Sequence, residues 1–190
     1  MRKGGLNMPD ERIFHYCPAC GSERIELRGG KRFSCPACGF IYYHNTAAAT
    51  ALILKTRAGI LFLVRGQEPE RGKLALPGGF VDPAEGAIEG MRRECREEIG
   101  WDPGPGCRFA ASYPNSYRYK GVLYNTCDLF FAAEAPGLSI ADLRSPSGGS
   151  PGGEILGLRF IRPEDLDLKS LAFESARQAL RQEFPAFFGP

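Results

Sequence analysis

Three glutamates, Glu94, Glu97 and Glu98, fall within five positions of the segment GGFVDPAEGAIEGMRRECREEIGW, residues 78–101. On a helix, Glu94 and Glu98 stand at i,i+4 and repel, and all three lie toward the C-terminal, negative end of the helix dipole. Each unfavourable contact costs a few tenths of a kcal/mol up to about 1 kcal/mol. A bound cation offsets these terms. Several oxygen donors with no His or Cys among them suit a hard ion, so Mg²⁺ is expected, with Mn²⁺ as a substitute.

A second set of potential ligands is built from sulfur. The pentapeptide CPACG occurs twice, at residues 17–21 and 35–39. Two residues between cysteines let both thiolates of a pair reach one ion, and Pro and Gly shape the turn. Cys17, Cys20, Cys35 and Cys38 together form a tetrathiolate set suited to Zn²⁺. With all four positions taken by protein, such a site is structural and has no open position for chemistry. The intervening SERIELRGGKRFS alternates apolar and polar residues around Gly-Gly, as a hairpin does. A fragment this small needs its metal to fold. Cys95, Cys107 and Cys127 lie in apolar stretches and read as packing residues.

The elements that must position the carboxylates follow from periodicity. A helix is expected from Asp82 as N-cap and Pro83 at the first helical position to Ile99, closed by Gly100. At about 100° per residue, Ala87, Ile88, Met91, Cys95 and Ile99 form one apolar stripe. The glutamates lie along one edge of that stripe, and Arg92, Arg96 and Glu89 point outward. Glu85 falls away from Glu94 and reads as a supporting group. AAATALILKT and ILFLVRG read as strands joined by a tight turn, GVLYNTCDLFFAAE and GLRFIRP as two more, and KSLAFESARQALRQEF as a helix. Residues 143–154, rich in Gly, Ser and Pro, read as a mobile surface loop. Strands and helices without regular βαβ alternation indicate an α+β or layered mixed fold. The division expected is a zinc ribbon at 13–42 and a larger domain at 43–190.

Charge and composition exclude little else. The net charge of +2 does not describe a protein built mainly to coat nucleic acid. No stretch approaches the roughly 20 apolar residues of a spanning helix, and the first residues lack an apolar leader core, so a cytoplasmic protein without a membrane partner is expected.

Gly79, Glu85, Arg93, Glu94, Glu97, Glu98 and Gly100 stand at the spacing of a complete Nudix box, and the chain resembles the Nudix hydrolase family. Cys95 and Trp101 occupy positions where that signature has aliphatic residues. The resemblance implies an α/β/α sandwich with a mixed sheet. It also implies a hydrolase of nucleoside diphosphates linked to another moiety, such as ADP-ribose or a dinucleotide. By that resemblance Glu94, Glu97 and Glu98 hold Mg²⁺ with help from the Gly79 carbonyl, and Arg93 orients them. ALPGGF, with Gly79 and Phe80, lets the backbone approach the substrate. A downstream acid often serves as base, and Glu154 is the candidate, against a reading as a plain loop acid. The family also implies a nucleotide as partner and a possible homodimer.

A zinc ribbon directly before such a domain resembles the NADH pyrophosphatase architecture. Where that group carries Ser-Gln-Pro-Trp-Pro-Phe-Pro, this chain has ASYPNSYRYKGVLYNTCDLFF, so NADH specificity is not implied. Tyr113, Tyr117 and Tyr119 offer a flat face to a base, with Arg118 and Lys120 near phosphate, or else belong to a strand with one packed face. Arg65, Arg71 and Lys73 are further phosphate-binding candidates. A reading of another class makes the ribbon an RNA- or protein-binding module and the larger domain a ligand sensor.

Overall fold

The computed structural model describes residues 14–28, 32–120, 122–143 and 153–189. The Gly-Gly turn and most of the expected loop at 143–154 lie outside the described residues. The chain divides into two compact units, one comprising residues up to Thr46 with Lys120–Val122, the other Ala47–Tyr119 with Leu123–Pro190.

The first unit holds three short antiparallel strands, β1 (Glu26–Arg28), β2 (Arg32–Ser34) and β3 (Ile41–Tyr43), in the order β1-β2-β3. Its apolar interior is an aromatic cluster: Phe14 meets Phe33 and Tyr42 edge-on at centroid separations of 5.4 and 5.3 Å. The two CPACG turns are near copies. In each, the glycine N–H donates to the carbonyl of the first cysteine, Gly21 to Cys17 at 2.8 Å and Gly39 to Cys35 at 2.9 Å. Gly21 and Gly39 have φ of 70° and 75°, the left-handed conformation that closes such a turn without a Cβ penalty.

The second unit is a mixed six-stranded sheet with a helix on each face, as expected for the α/β/α sandwich. Its strands are β4 (Ala47–Thr56), β5 (Gly59–Arg65), β6 (Leu74–Ala75), β7 (Arg108–Tyr119), β8 (Val122–Glu134) and β9 (Ile155–Ile161). They run in the order β6-β5-β4-β8-β7, with β9 paired to β5. β4 and β8 are parallel, while β5 is antiparallel to β4, β6 and β9. Alternation along the strands sorts side chains to two cores. Leu52, Leu54, Leu61, Leu63 and Phe131 face α1 (Ala87–Ile99) through Met91, Cys95 and Ile99. Ile53, Ile60, Phe62, Phe130 and Ala132 face α2 (Glu174–Glu183) through Ala176, Ala179 and Leu180. A short helix, α3 (Pro185–Phe188), follows. Among the described residues no helix is long and apolar enough to cross a membrane.

The helix carrying the glutamates begins later than its sequence suggests. Gly86 is its N-cap, and its N–H donates to Glu89 Oε2 at 2.7 Å. Residues 82–85 instead form a turn, because Ala84 adopts a positive φ of 69° that no helix continues through. Glu85 therefore lies ahead of the helix, folded back so that Oε1 accepts from the Asp82 N–H at 2.8 Å. The helix ends as expected, with Gly100 left-handed at φ 65°.

Candidate active site

Residues 77–81 run as an added stretch along β4. The Leu52 N–H donates to the Pro77 carbonyl, the Thr50 N–H to the Gly79 carbonyl and the Val81 N–H to the Ala48 carbonyl, at 2.8, 2.8 and 3.1 Å. At Gly78 only glycine permits this course. Gly78 has φ of 145°, and a Cβ there would stand 2.0 Å from the Thr50 carbonyl oxygen. A Cβ on Gly79 would stand 2.5 Å from Glu94 Oε1, so the Glu94 carboxylate lies directly against this backbone.

Arg93 organises the acids with all three of its nitrogens. Nη1 donates to Glu94 Oε1 at 2.8 Å and to Glu97 Oε2 at 3.2 Å. Nη2 donates to Glu85 Oε1 at 2.7 Å and to the Phe80 carbonyl at 3.0 Å, and Nε donates to Glu85 Oε2 at 3.2 Å. Glu85 packs over Gly90, where a Cβ would stand 2.7 Å from its Oε1. Glu85 thus anchors Arg93, and Arg93 in turn holds one oxygen each of Glu94 and Glu97.

Three environments result. Glu97 is open to solvent, its side chain 58% exposed. Glu94 is largely buried, and that burial pushes its pKa up against the pull of Arg93. Glu98 is deepest and accepts from the Gly78 N–H at 2.7 Å. Its pKa is pushed up to about 8, first by burial, with the charges of Glu94 and Glu154 adding to it and the Gly78 amide and Arg65 opposing. The backbone of Glu154 lies against the end of β5, its carbonyl accepting from the Gly66 N–H at 2.7 Å.

A cavity of about 430 Å³ opens on the α2 face of the sheet; Gly78 and Gly79, which touch Glu98 and Glu94, line it, and the acids themselves do not. Tyr117 stacks on Tyr124 with centroids 5.6 Å apart and planes 13° from parallel, and lies 5.6 Å from Phe173. The Arg65 guanidinium sits 4.9 Å over the Phe173 ring, and its Nε donates to the Pro69 carbonyl at 2.9 Å. Gly79, Phe80, Tyr117 and Arg65 all line this space. In the first unit, the four cysteine sulfurs all lie within 4.8 Å of one another. Cys17–Cys38 and Cys20–Cys35 are each separated by 3.7 Å, close to the roughly 3.8 Å edge of a tetrahedron with Zn–S of about 2.3 Å.

Residues 44–182 match the family model described as the NUDIX domain. The chain belongs to the Nudix family. Among curated relatives, the NAD-capped RNA hydrolase NudC of Stutzerimonas stutzeri is 33% identical over 90 residues, covering 47% of this chain and 32% of the relative. The NudC of Chromobacterium violaceum is 36% identical over 91 residues, 46% of this chain and 34% of the relative. The chain thus spans about a third of the length of the curated relatives it matches. A NUDIX hydrolase from Nitrosomonas europaea superposes with a TM-score of 0.62 at 24% identity, over 92% of this chain and 94% of that one. The NUDIX domain of Shewanella oneidensis NrtR, complexed with ADP ribose, gives 0.58 at 16% identity over 76% and 90%. These two likenesses show the Nudix fold.

Several expectations need correction within this Nudix fold. Cys127 is exposed, because α1 covers β8 only farther along, from Leu129 and Phe131 onward. Arg92 and Arg96 do not simply face solvent: both pair with Asp102 at 2.8 Å, tying the end of the Nudix helix to the following loop. Lys73 pairs with Glu70 at 2.5 Å, and neither it nor Arg71 lines the cavity. The tyrosines divide between the two readings. Tyr113 donates to Gln182 Oε1 and packs against the α2-side core, while Tyr117 and Tyr119 line the cavity. Sequence reasoning passed over Thr126, Asp128, Phe173 and Ser175. The signal was available for two of them: Thr126 and Asp128 are polar residues at alternate positions of β8, on the same face as the apolar Phe130 and Ala132.

Proposed function

We propose that the chain is a Mg²⁺-dependent hydrolase that cleaves the pyrophosphate bond of a nucleoside diphosphate linked to another moiety. ADP-ribose and dinucleotides are the leading candidates. The observation that carries this reading is the Glu94, Glu97 and Glu98 set, the first two held by Arg93 and the third by the Gly78 amide, against the Gly78–Gly79 backbone that lines a cavity of about 430 Å³. We assign the ribbon to residues 13–42 and the hydrolase domain to 43–190.

The residues fit a hard divalent ion. All three side chains offer oxygen, and a buried Glu98 pushed up to about 8 sits among other acids, a combination that a cation reverses. Glu94, Glu97 and Glu98 would hold Mg²⁺ or Mn²⁺, and the Gly79 carbonyl, which accepts from the Thr50 N–H at 2.8 Å and from its hydroxyl at 3.5 Å, would join them by giving up the longer of these contacts. Such an ion supplies neutralisation of phosphate charge and acidifies a coordinated water. Arg93 fixes the two outer carboxylates, so little reorganisation is needed when substrate arrives. Arg65, held over Phe173, faces the cavity and is placed to meet phosphate oxygen. Glu154, whose charge acts on Glu98, remains the candidate to take a proton. In the first unit, the thiolate set fits Zn²⁺ in a closed structural site. There burial pushes the Cys35 thiol up, but the amides of Cys38 and Ala37 and the neighbouring Cys20 and Cys17 outweigh it and bring it down to about 7, while the same thiols help push Cys38 up to about 12.

The reading is tested by incubating the protein with Mg²⁺ and ADP-ribose, NADH, NAD⁺, dinucleoside polyphosphates, nucleotide sugars and capped RNA, beside Glu97→Gln. Metal-dependent release of a nucleoside monophosphate, reduced at least about 100-fold in the variant, is expected, since the ion's charge stabilisation is worth several kcal/mol. Equal turnover by the variant, or turnover that ignores the metal, would overturn it.

A further inference from the structure

β5 ends in Arg65, and the chain turns away there through residues 66–73, returning so that the Arg65 N–H donates to the Lys73 carbonyl at 2.9 Å. The guanidinium is left at the cavity wall and is held at two points. Nε donates to the Pro69 carbonyl at 2.9 Å, and the Phe173 ring centroid lies 4.9 Å from the guanidinium carbon. Among the described residues no hydrogen bond or ion pair engages either terminal nitrogen. The charges of Arg65 and Glu98 act on each other, so a long side chain free to move would swing toward that buried carboxylate. A restraint keeps the two apart.

Phe173 is fixed independently of Arg65. Leu171, fully buried, bridges to Leu74 of β6, and the Ala172 N–H donates to the Leu74 carbonyl at 2.9 Å. Arg177, in the first turn of α2, donates through Nε to the Leu168 carbonyl at 3.0 Å and through Nη2 to the Leu171 carbonyl at 2.6 Å. The approach to α2 is thus pinned to the sheet and to the helix. The Phe173 ring also meets Tyr117, 5.6 Å away and tilted by 44°. Arg65 is half-buried, where the attraction between a guanidinium and an aromatic face is stronger than in open water.

We propose that Phe173 is a positioning residue for phosphate capture: its ring and the Pro69 carbonyl clamp Arg65 away from Glu98, so that Nη1 and Nη2 stand open as a two-pronged donor to one phosphate group. The inference rests on the hydrolase reading above and adds how the phosphate is met. Phe173 itself touches no reacting atom and acts only through Arg65. A planar fork with both prongs open matches two oxygens of one phosphate. Without the ring the side chain regains rotamer freedom, and part of the binding energy is spent on ordering it.

The test is calorimetric binding of inorganic pyrophosphate to the full chain at low ionic strength without divalent metal, so that turnover plays no part. Arg65→Ala is expected to weaken binding about 30-fold, the scale of hydrogen bonds to a charged group. Phe173→Leu keeps apolar bulk and removes the π face, and should weaken it about 5-fold, while Phe173→Tyr should stay within about 2-fold of the unaltered chain. With Arg65→Ala and Phe173→Leu combined, the loss should stay within about 2-fold of Arg65→Ala alone, because the ring has nothing left to hold. A merely structural role would instead multiply the two losses. Arg65→Lys reads the clamp without altering the ring: it keeps the charge, loses the fork and should bind about 10-fold more weakly. Multiplied losses, an unaffected Phe173→Leu, no rescue by Phe173→Tyr, an unaffected Arg65→Ala or Arg65→Lys, or an unaltered chain that binds no pyrophosphate would each overturn the assignment. Metal-dependent hydrolysis of ADP-ribose by a chain in which Arg65 and Phe173 prove uncoupled would sink the clamp and leave the hydrolase reading intact. Coupled pyrophosphate binding without any hydrolysis would do the reverse.

Discussion

The thiolate cluster and the carboxylate helix are both sets of ligands, yet they are built in opposite ways. The four sulfurs converge within 4.8 Å through two turns that each close on their own backbone, so the geometry is local and complete. The glutamates do not converge so tightly. Glu94, Glu97 and Glu98 differ in depth, share Arg93 or a backbone amide, and rely on Gly78 and Gly79 from a separate stretch of chain. A closed site of four protein ligands can only hold; a graded, partly open one can also bind a substrate and let it go.

The largest effect should come from breaking the closed site. Cys35→Ser is expected to remove about 10 kcal/mol or more of metal-linked folding free energy from residues 14–46. Hydrogen exchange should then show those residues unprotected while β4, β5 and α1 stay protected. Protection retained in the ribbon would mean that its aromatic cluster of Phe14, Phe33 and Tyr42 suffices.

Arg93→Lys attacks the other site at its organiser. Lysine keeps the charge but cannot donate to Glu85, Glu94, Glu97 and the Phe80 carbonyl together. A loss of about 10- to 100-fold in kcat is expected from disordered ligands, with a raised Mg²⁺ requirement in steady-state titrations. Gly79→Ala should act more narrowly by displacing Glu94, lowering kcat about 10-fold with little change in the melting temperature. An unchanged rate would show that Glu94 can yield without cost.

The smallest effect concerns the brace behind the helix. Asp102 accepts from Arg92, the Gly104 N–H and Arg96, and these hold its carboxyl well below the usual carboxylate range, Arg92 most, with burial opposing. A depressed folded pKa contributes stability that is present above the unfolded value of about 3.9 and is lost as pH falls below it. Asp102→Asn should therefore cost about 1 kcal/mol at pH 7, or roughly 3 °C in melting temperature, since the pair is partly exposed and screened. Below pH 4 the difference between the two proteins should shrink.

How much of this was legible in the sequence varied with how local each device is. The CPACG turns and the spacing of the Nudix box could be read directly, because ligand reach and helical periodicity act within a few residues. The helix start was misplaced because Asp-Pro imitates an N-cap, while the positive φ at Ala84 is set by Glu85 folding back onto Asp82 and Arg93. The cavity was hidden for a different reason. Ala49 and Asp128 are 79 positions apart and become neighbours only through the parallel ladder. Phe173 and Ser175 reach the same space from α2, whose docking no local pattern specifies.

The most direct test of the contrast between a closed and an open site is to separate the two metals in one preparation. After brief chelation, native mass spectrometry would count tightly bound zinc while product release is followed as Mg²⁺ is restored. Zinc should remain at one ion per chain while hydrolysis falls to background and returns with Mg²⁺ alone. Hydrolysis that survives chelation, or that follows zinc content instead of added Mg²⁺, would contradict the assignment of chemistry to Glu94, Glu97 and Glu98.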